Sequence, residues 1–365
     1  MPLKYQKNKP QMDAIPKTSV SGYMPHLDGL RALAVTAVMA THWLPDAWQF
    51  GLPLATGVQL FFVLSGFLIT GILLDSKQGV GFHCNRRAIR NFYARRFLRI
   101  FPLYYVVLAI AAAFAIPHLR ETLWWHLSYL SNFCFYIHPG FGTEIGHFWS
   151  LAVEEQFYLI WPCVIMLLPG RWLWWAILAA GLCGPTYRLL GALFSPIDHF
   201  YIGTPGSFDS LALGAGLALG VRSGSRKFAR VVKYRWVMAA MAVGVFGVVH
   251  YGSHVPRAVD HCLSLLLISI LYGVMIYEGS IGFRGWLGRV FELGVVRYTG
   301  KISYGLYVMH NFASIPTMAL LREFPILKQL PANILIINTV VTFGIAALSW
   351  HLYESRLNAL KRYFP

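Results

Sequence analysis

Three groups of side chains in this sequence combine residue types and spacings that suit chemistry. The first is Arg31 with His42. Eleven helical residues turn through three full circuits and about 20°, so both project from one face, about 16 Å apart along the axis. Asp28 lies one turn before Arg31 and is placed to pair with it. The second group is Glu154 and Glu155, inside the apolar run 147–162. Adjacent helical residues point about 100° apart, so at least one carboxylate looks into the protein. A histidine and a carboxylate at one depth make a general-base pair, the carboxylate fixing the tautomer and stabilising imidazolium. The third group is the arginine run Arg86, Arg87, Arg90, Arg95, Arg96 and Arg99. Arg96 and Arg99 share a face, and guanidinium forks suit phosphate oxygens.

Each group also has a plainer reading. Arg31 can snorkel at a helix end and His42 can be a satisfied core histidine. A buried glutamate can serve only to pair with an arginine or a helix end, and loop arginines can serve only topology. The plainer reading is favoured for Arg86, Arg87 and Arg90. His310, in 303–310, reads as a packed or hydrogen-bonded helix histidine. His250, His254, Asp260 and His261 cluster in sequence without a zinc-protease motif, so no metal site is expected. The sequence has no phosphate-binding glycine loop, dinucleotide fingerprint or nucleophile elbow either.

The elements that carry these groups are membrane helices. The chain has 365 residues, 56% apolar and only 13% charged, with mean hydropathy +0.53. Soluble domains carry about 25% charge, so a soluble two-domain enzyme is excluded. Ten apolar runs approach the roughly 20 residues that span a bilayer: 27–44, 54–74, 100–116, 148–168, 172–193, 207–221, 236–251, 261–278, 304–321 and 332–352. The stretch 123–137 is too short and amphipathic, and reads as interfacial or re-entrant. The tryptophans Trp124, Trp125, Trp172, Trp174 and Trp175 read as an interfacial belt.

With both termini in the cytoplasm, 25 of the 31 Lys and Arg fall on the cytoplasmic side, four outside, and two (Arg31 and Arg188) within spans. That bias explains most of the +16 net charge without nucleic acid. The expected organisation is an N-terminal tail over 1–26, a transmembrane domain over 27–352 and a C-terminal tail over 353–365. The five cysteines, Cys84, Cys134, Cys163, Cys183 and Cys262, are scattered and odd in number, which supports neither a disulfide framework nor a zinc ribbon. No cleavable leader is expected in the polar start of the chain. No inverted repeat is apparent, which weakens a transporter reading.

The motifs around these residues resemble acyltransferase family 3, the bacterial integral-membrane O-acyltransferases. His26-Leu-Asp-Gly-Leu-Arg-Ala-Leu-Ala-Val35 with His42 resembles the family's first-helix signature. Gly57-Val-Gln-Leu-Phe-Phe-Val-Leu-Ser-Gly-Phe-Leu-Ile69, which includes Ser65, resembles its second helix. Tyr93-Ala-Arg-Arg-Phe-Leu-Arg-Ile-Phe-Pro-Leu-Tyr104 is similar to its double-arginine element, with Arg96 and Arg99 in the motif positions. Phe148 to Pro162 resembles its Trp-Ser-Leu-x-Val-Glu signature, through Trp149 and Glu154 to Gln156. Two elements depart: Ser207 stands where an arginine often precedes Asp209, and Ser-Arg follows Glu354 where proline is common.

The resemblance implies acyl transfer, commonly acetyl from acetyl-CoA, to a hydroxyl of a cell-surface carbohydrate or lipid-linked glycan at the bacterial inner membrane. It implies His42 as general base with Glu154 orienting it or binding the sugar. Arg96 and Arg99, helped by Arg31, would hold the cofactor phosphates. Asp28, Ser65, Tyr104, Trp149, Glu155 and Gln156 are expected to support them. A covalent acyl-histidine remains open beside direct transfer. Some family members carry a hydrolase-like domain after the bundle; this chain stops at Pro365, so the bundle is expected to complete transfer by itself. Acylation of a small hydrophobic metabolite such as a macrolide, a proton-coupled transporter using the same buried groups, and a lipid-binding scaffold are the rival readings.

Overall fold

The computed structural model describes residues 23–78, 86–138, 144–195, 200–324, 326 and 331–364. Most of the expected tail over 1–26, and Cys84, lie outside them. The described residues are helical, with no strand. In chain order the helices are α1 (Pro25–Trp43), α2 (Gly57–Gln78), α3 (Arg86–Ala113), α4 (Leu119–Leu127), α5 (Ser131–Ile137), α6 (Phe148–Leu167), α7 (Gly170–Phe194) and α8 (Phe208–Ser223). There follow α9 (Arg226–Lys233), α10 (Arg235–Tyr251), α11 (Arg257–Ile281), α12 (Gly285–Glu292), α13 (Gly294–Lys301), α14 (Ser303–Met309), α15 (Ser314–Glu323), α16 (Pro331–Ser349) and α17 (Ser355–Ala359).

Among the described residues, six helical stretches are long and apolar enough to cross a membrane: Leu54–Lys77, Arg86–Ala113, Phe148–Leu167, Gly170–Phe194, Arg257–Ile281 and Ala332–Tyr363. The pair α9 and α10, bent by 55° at their junction, makes a seventh if taken as one span. The other three of the ten expected runs differ for identifiable reasons. α1 has 19 residues and carries Asp28, Arg31 and two histidines. α8 has 16 residues, about 24 Å of helix against a hydrocarbon core of about 30 Å. The run 304–321 is split by a 3-10 turn, His310–Ala313, between α14 and α15. The stretch 123–137 forms the end of α4 and all of α5, neither long enough to cross.

Small residues let the central helices close on each other. A Cβ on Gly66 of α2 would overlap the Leu211 carbonyl of α8, and one on Gly214 of α8 would overlap the Val63 carbonyl of α2. Close backbone approach of this kind substitutes for hydrophobic drive, which is weak between helices in lipid. Gly300 of α13 approaches the Asp28 backbone in the same way and seats the start of α1. α6 lies between two apolar clusters. One joins its first turns to α1, α3 and α14, and the other joins its later turns to α2, α7 and α8. The stretch expected as a C-terminal tail stays helical after a π turn at Trp350–Glu354, and α17 with the 3-10 turn Leu360–Tyr363 packs on α3.

Candidate active site

The arginines and one glutamate meet in a cavity of about 90 Å³ between α1, α2, α3, α6 and α14. Its polar lining includes Arg31, Ser65, Arg96, Arg99, Glu154, Tyr158 and Tyr304. Arg31 pairs with Asp28, whose other oxygen accepts the Tyr23 hydroxyl at 2.7 Å. The Arg96 guanidinium lies over the Tyr158 ring, 5.0 Å from its centroid. Neither Arg96 nor Arg99 makes an ion pair within 4.0 Å among the described residues, so two guanidinium groups keep charge available to the cavity. Ser65 donates to Glu154 Oε1 at 2.6 Å and accepts the Tyr158 hydroxyl at 2.9 Å, tying α2 to α6 along the cavity wall.

The cavity ends at Ser150 and Tyr307. Their hydroxyls bond to each other, and both reach the His147 carbonyl, at 3.1 and 3.0 Å. One turn beyond this roof stand three histidines from three elements. His42 and His310 meet edge to face with centroids 4.8 Å apart, and His310 meets His147 at 4.7 Å. His42 is exposed, whereas His310 and His147 are buried. His147 donates from Nε2 to Val308 O at 3.1 Å and accepts from Asn311 Nδ2 at 3.0 Å, which makes it a neutral structural bridge. Burial and the neighbouring His310 both hold its imidazole well below the usual range. His310 donates from Nδ1 to Tyr307 O at 2.6 Å, and its buried Nε2 has no partner among the described residues. His42 donates from Nδ1 to Val38 O at 2.8 Å, which leaves the lone pair on Nε2.

Among the described residues His42 and Glu154 share no hydrogen bond, and each has another partner. His147, just before α6, is linked to His42 through His310. Glu154 is seven residues further along α6, about 10 Å of helical rise from His147, and shares a cavity with Arg31. The His42 tautomer is held by the Val38 carbonyl, not by a carboxylate. The contact between His42 and His310 has no signature in the sequence, because residues 268 positions apart share no local signal.

The supporting residues separate into distinct places. Asp28 and Ser65 stay with the cavity, on Arg31 and Glu154. Glu155 faces the other side of α6, in a cavity of about 340 Å³ with Tyr93, Tyr105 and Tyr129, and only Arg96 and Tyr158 line both. Gln156 is spent on structure: it donates to Tyr129 O at 2.8 Å and Asn132 Oδ1 at 2.9 Å and accepts from Thr204. Tyr104 is fully buried, donates to His126 O at 3.0 Å and stacks on Tyr129. Trp149 packs between Phe62 and Tyr201. Arg86, Arg87 and Arg90 are exposed. His250 meets Asp260 at 3.2 Å, and the described residues contain no group of three His, Cys, Asp or Glu able to hold a metal.

A family model described as an acyltransferase domain matches residues 24–351, which include the cavity arginines, Glu154 and the three histidines. The chain belongs to the acyltransferase 3 family. In this acyltransferase domain Asp209 takes its guanidinium from another helix: Arg188 of α7 bonds it at 2.7 Å, with both side chains buried. Among its relatives are the peptidoglycan O-acetyltransferase OatA of Listeria monocytogenes, 30% identical over 94% of this chain and 57% of that protein. A putative O-acetyltransferase of Staphylococcus aureus is 28% identical over 91% of this chain and 57% of its own length. The putative peptidoglycan O-acetyltransferase YrhL of Bacillus subtilis is 27% identical over 93% and 55%. The acyltransferase chain thus spans between half and two thirds of the length of these curated relatives. No solved structure matches it.

Proposed function

We propose that this chain moves an acyl group, acetyl first of all, from acyl-CoA to a hydroxyl of a cell-surface carbohydrate, with peptidoglycan as the leading acceptor class. The observation that carries this reading is a single cavity with Arg96 and Arg99, without ion pairs among the described residues, at its basic end and, one turn past its other end, a histidine whose lone pair is left on Nε2. The names of the relatives support the acceptor class. The basic loops support a cytoplasmic, inner-membrane orientation for the arginine end and for both termini.

In this mechanism Arg96 and Arg99 hold the donor's phosphates and Arg31 assists. The thioester reaches outward past Glu154 and Ser65 toward the Ser150–Tyr307 roof, over the roughly 16 Å between the levels of Arg31 and His42. His42 Nε2 takes the proton of the acceptor hydroxyl as its oxygen attacks the thioester carbonyl. The carbon–sulfur bond breaks, CoA leaves as thiolate, and the imidazolium proton neutralises it. Glu154 lines the path as the carboxylate facing the arginines, held by Ser65, which also accepts from the Tyr158 on which Arg96 lies, a role separate from the base.

The test is CoA release from acetyl-CoA by the purified protein with and without peptidoglycan fragments, wild type beside His42→Ala. Acceptor-dependent release that falls by about 10²–10⁴ in the variant, with donor binding kept, is the expected result. Undiminished release in the variant removes His42 from the chemistry.

A further inference from the structure

A second cavity, of about 200 Å³, adjoins the first and shares Arg31, Arg99 and Tyr304 with it. Its remaining charged lining is Asp28, Lys301, Glu354 and Lys361. Four cations and two carboxylates leave a formal charge of +2 around one small space. Asp28 is already committed to Arg31 and Tyr23. Glu354 accepts the Ser349 hydroxyl at 2.9 Å and forms no ion pair among the described residues. Lys301 lies over the Trp350 ring at 5.1 Å. That leaves Arg99 and Lys361 as neighbouring basic groups with no ion pair within 4.0 Å among the described residues.

The fold works to create this crowding. The π turn at Trp350–Glu354 widens the end of the last long helix, and α17 then carries Lys361 back onto α3, toward Arg95, Arg96 and Arg99. Like charges held together repel, and π turns inside helices are frequent at functional sites. An anion of about two charges resolves the repulsion, and a phosphomonoester carries about −1.5 to −2 at neutral pH.

We propose that this second cavity binds a phosphomonoester, the 3′-phosphate of the CoA donor, with Lys361 and Arg99 as its direct ligands. The inference rests on the acyl-CoA reading and adds to it where the nucleotide end of the donor sits. An anionic lipid headgroup presents the same chemistry, so the test separates the two sources.

Equilibrium binding of acetyl-CoA and of its 3′-dephospho analogue is measured on the full chain in phosphatidylcholine nanodiscs. Wild type is expected to bind acetyl-CoA about tenfold or more tightly than the analogue, as for one charge-assisted hydrogen bond or more. Lys361→Gln is expected to weaken acetyl-CoA alone and erase that preference, while Lys361→Arg keeps it. Equal wild-type affinity for the two compounds overturns the proposal, as does a Lys361→Gln effect shared equally by both. If wild type binds neither, the acyl-CoA reading fails and takes this inference with it. Nanodiscs containing phosphatidylglycerol supply the remaining arm. Competition with acetyl-CoA in wild type but not in Lys361→Gln, without a 3′-phosphate preference, assigns the cavity to lipid and overturns the proposal.

Discussion

The Ser65 hydroxyl donates to Oε1 of Glu154 across 2.6 Å, and this bond places the carboxylate on the arginine side of the site. The carboxylate shares its cavity with Arg31, Arg96 and Arg99, about 10 Å of helical rise along α6 from His147. Arg31, Arg96, Arg99 and Glu154 therefore line one cavity, and His42 stands beyond its Ser150–Tyr307 end.

Glu154→Gln separates these roles. The variant keeps the Ser65 contact through its amide oxygen but loses a negative charge beside the arginines. Turnover is expected to fall, while the pH at which transfer half-develops stays where wild type has it, because Val38 O holds the His42 tautomer. A pH profile of kcat checks this, and a displaced profile would restore direct coupling between the two residues.

The paired variant Arg96→Ala with Arg99→Ala tests the basic end. Hydrogen bonds to charged groups contribute roughly 1.5–3 kcal/mol each, so acetyl-CoA affinity is expected to drop by about 10²-fold or more. Titration of the purified variant with acetyl-CoA reads this directly, and unchanged affinity would reduce both arginines to topology determinants.

Arg188 and Asp209 form a buried pair, with side chains 1% and 0% exposed, and Arg188 also donates to the carbonyls of His261 at 2.7 Å and Cys262 at 3.1 Å. Removing one partner leaves the other charge buried and alone, a loss of about 3–5 kcal/mol. Arg188→Ala is expected to lower the melting temperature sharply in detergent, and Arg188→Leu with Asp209→Leu to lower it less.

His126 is fully buried in α4, outside the membrane-spanning helices, and neither ring nitrogen has a hydrogen-bond partner among the described residues. Burial pushes its imidazole down to about 4, from an ordinary value of 6.5. Below pH 6.5 the unfolded chain takes up a proton that the folded chain refuses, so stability present above 6.5 is lost as pH falls toward 4. At pH 5 the loss is on the order of 2 kcal/mol. Melting curves at pH 7 and pH 5 are expected to separate in wild type and to draw closer in His126→Leu.

Much of this protein is legible without coordinates, because the relevant signals are local. Apolar runs of helical length identify the membrane helices, although α8 proves too short to cross alone and the run through His310 breaks into two helices. The common face of Arg31 and His42 follows from helical periodicity on one element, and so does the pairing of Asp28 with Arg31. Residue types in motif order were enough to indicate the family, since each motif lies within a single helix or its flank.

The tertiary structure alone decided which helices share a depth. Glu154 meets the arginines, and His310 and His147 meet His42. Arg188 answers Asp209, and Lys361 returns to the basic end over α3. All of these relations depend on how far one helix slides along another. That register is set by small-residue contacts such as Gly66 on Leu211 and Gly300 on Asp28, whose partners lie far apart in sequence. Hydropathy specifies that a helix is apolar along its length, and it carries no information about which turn of that helix faces which turn of its neighbour.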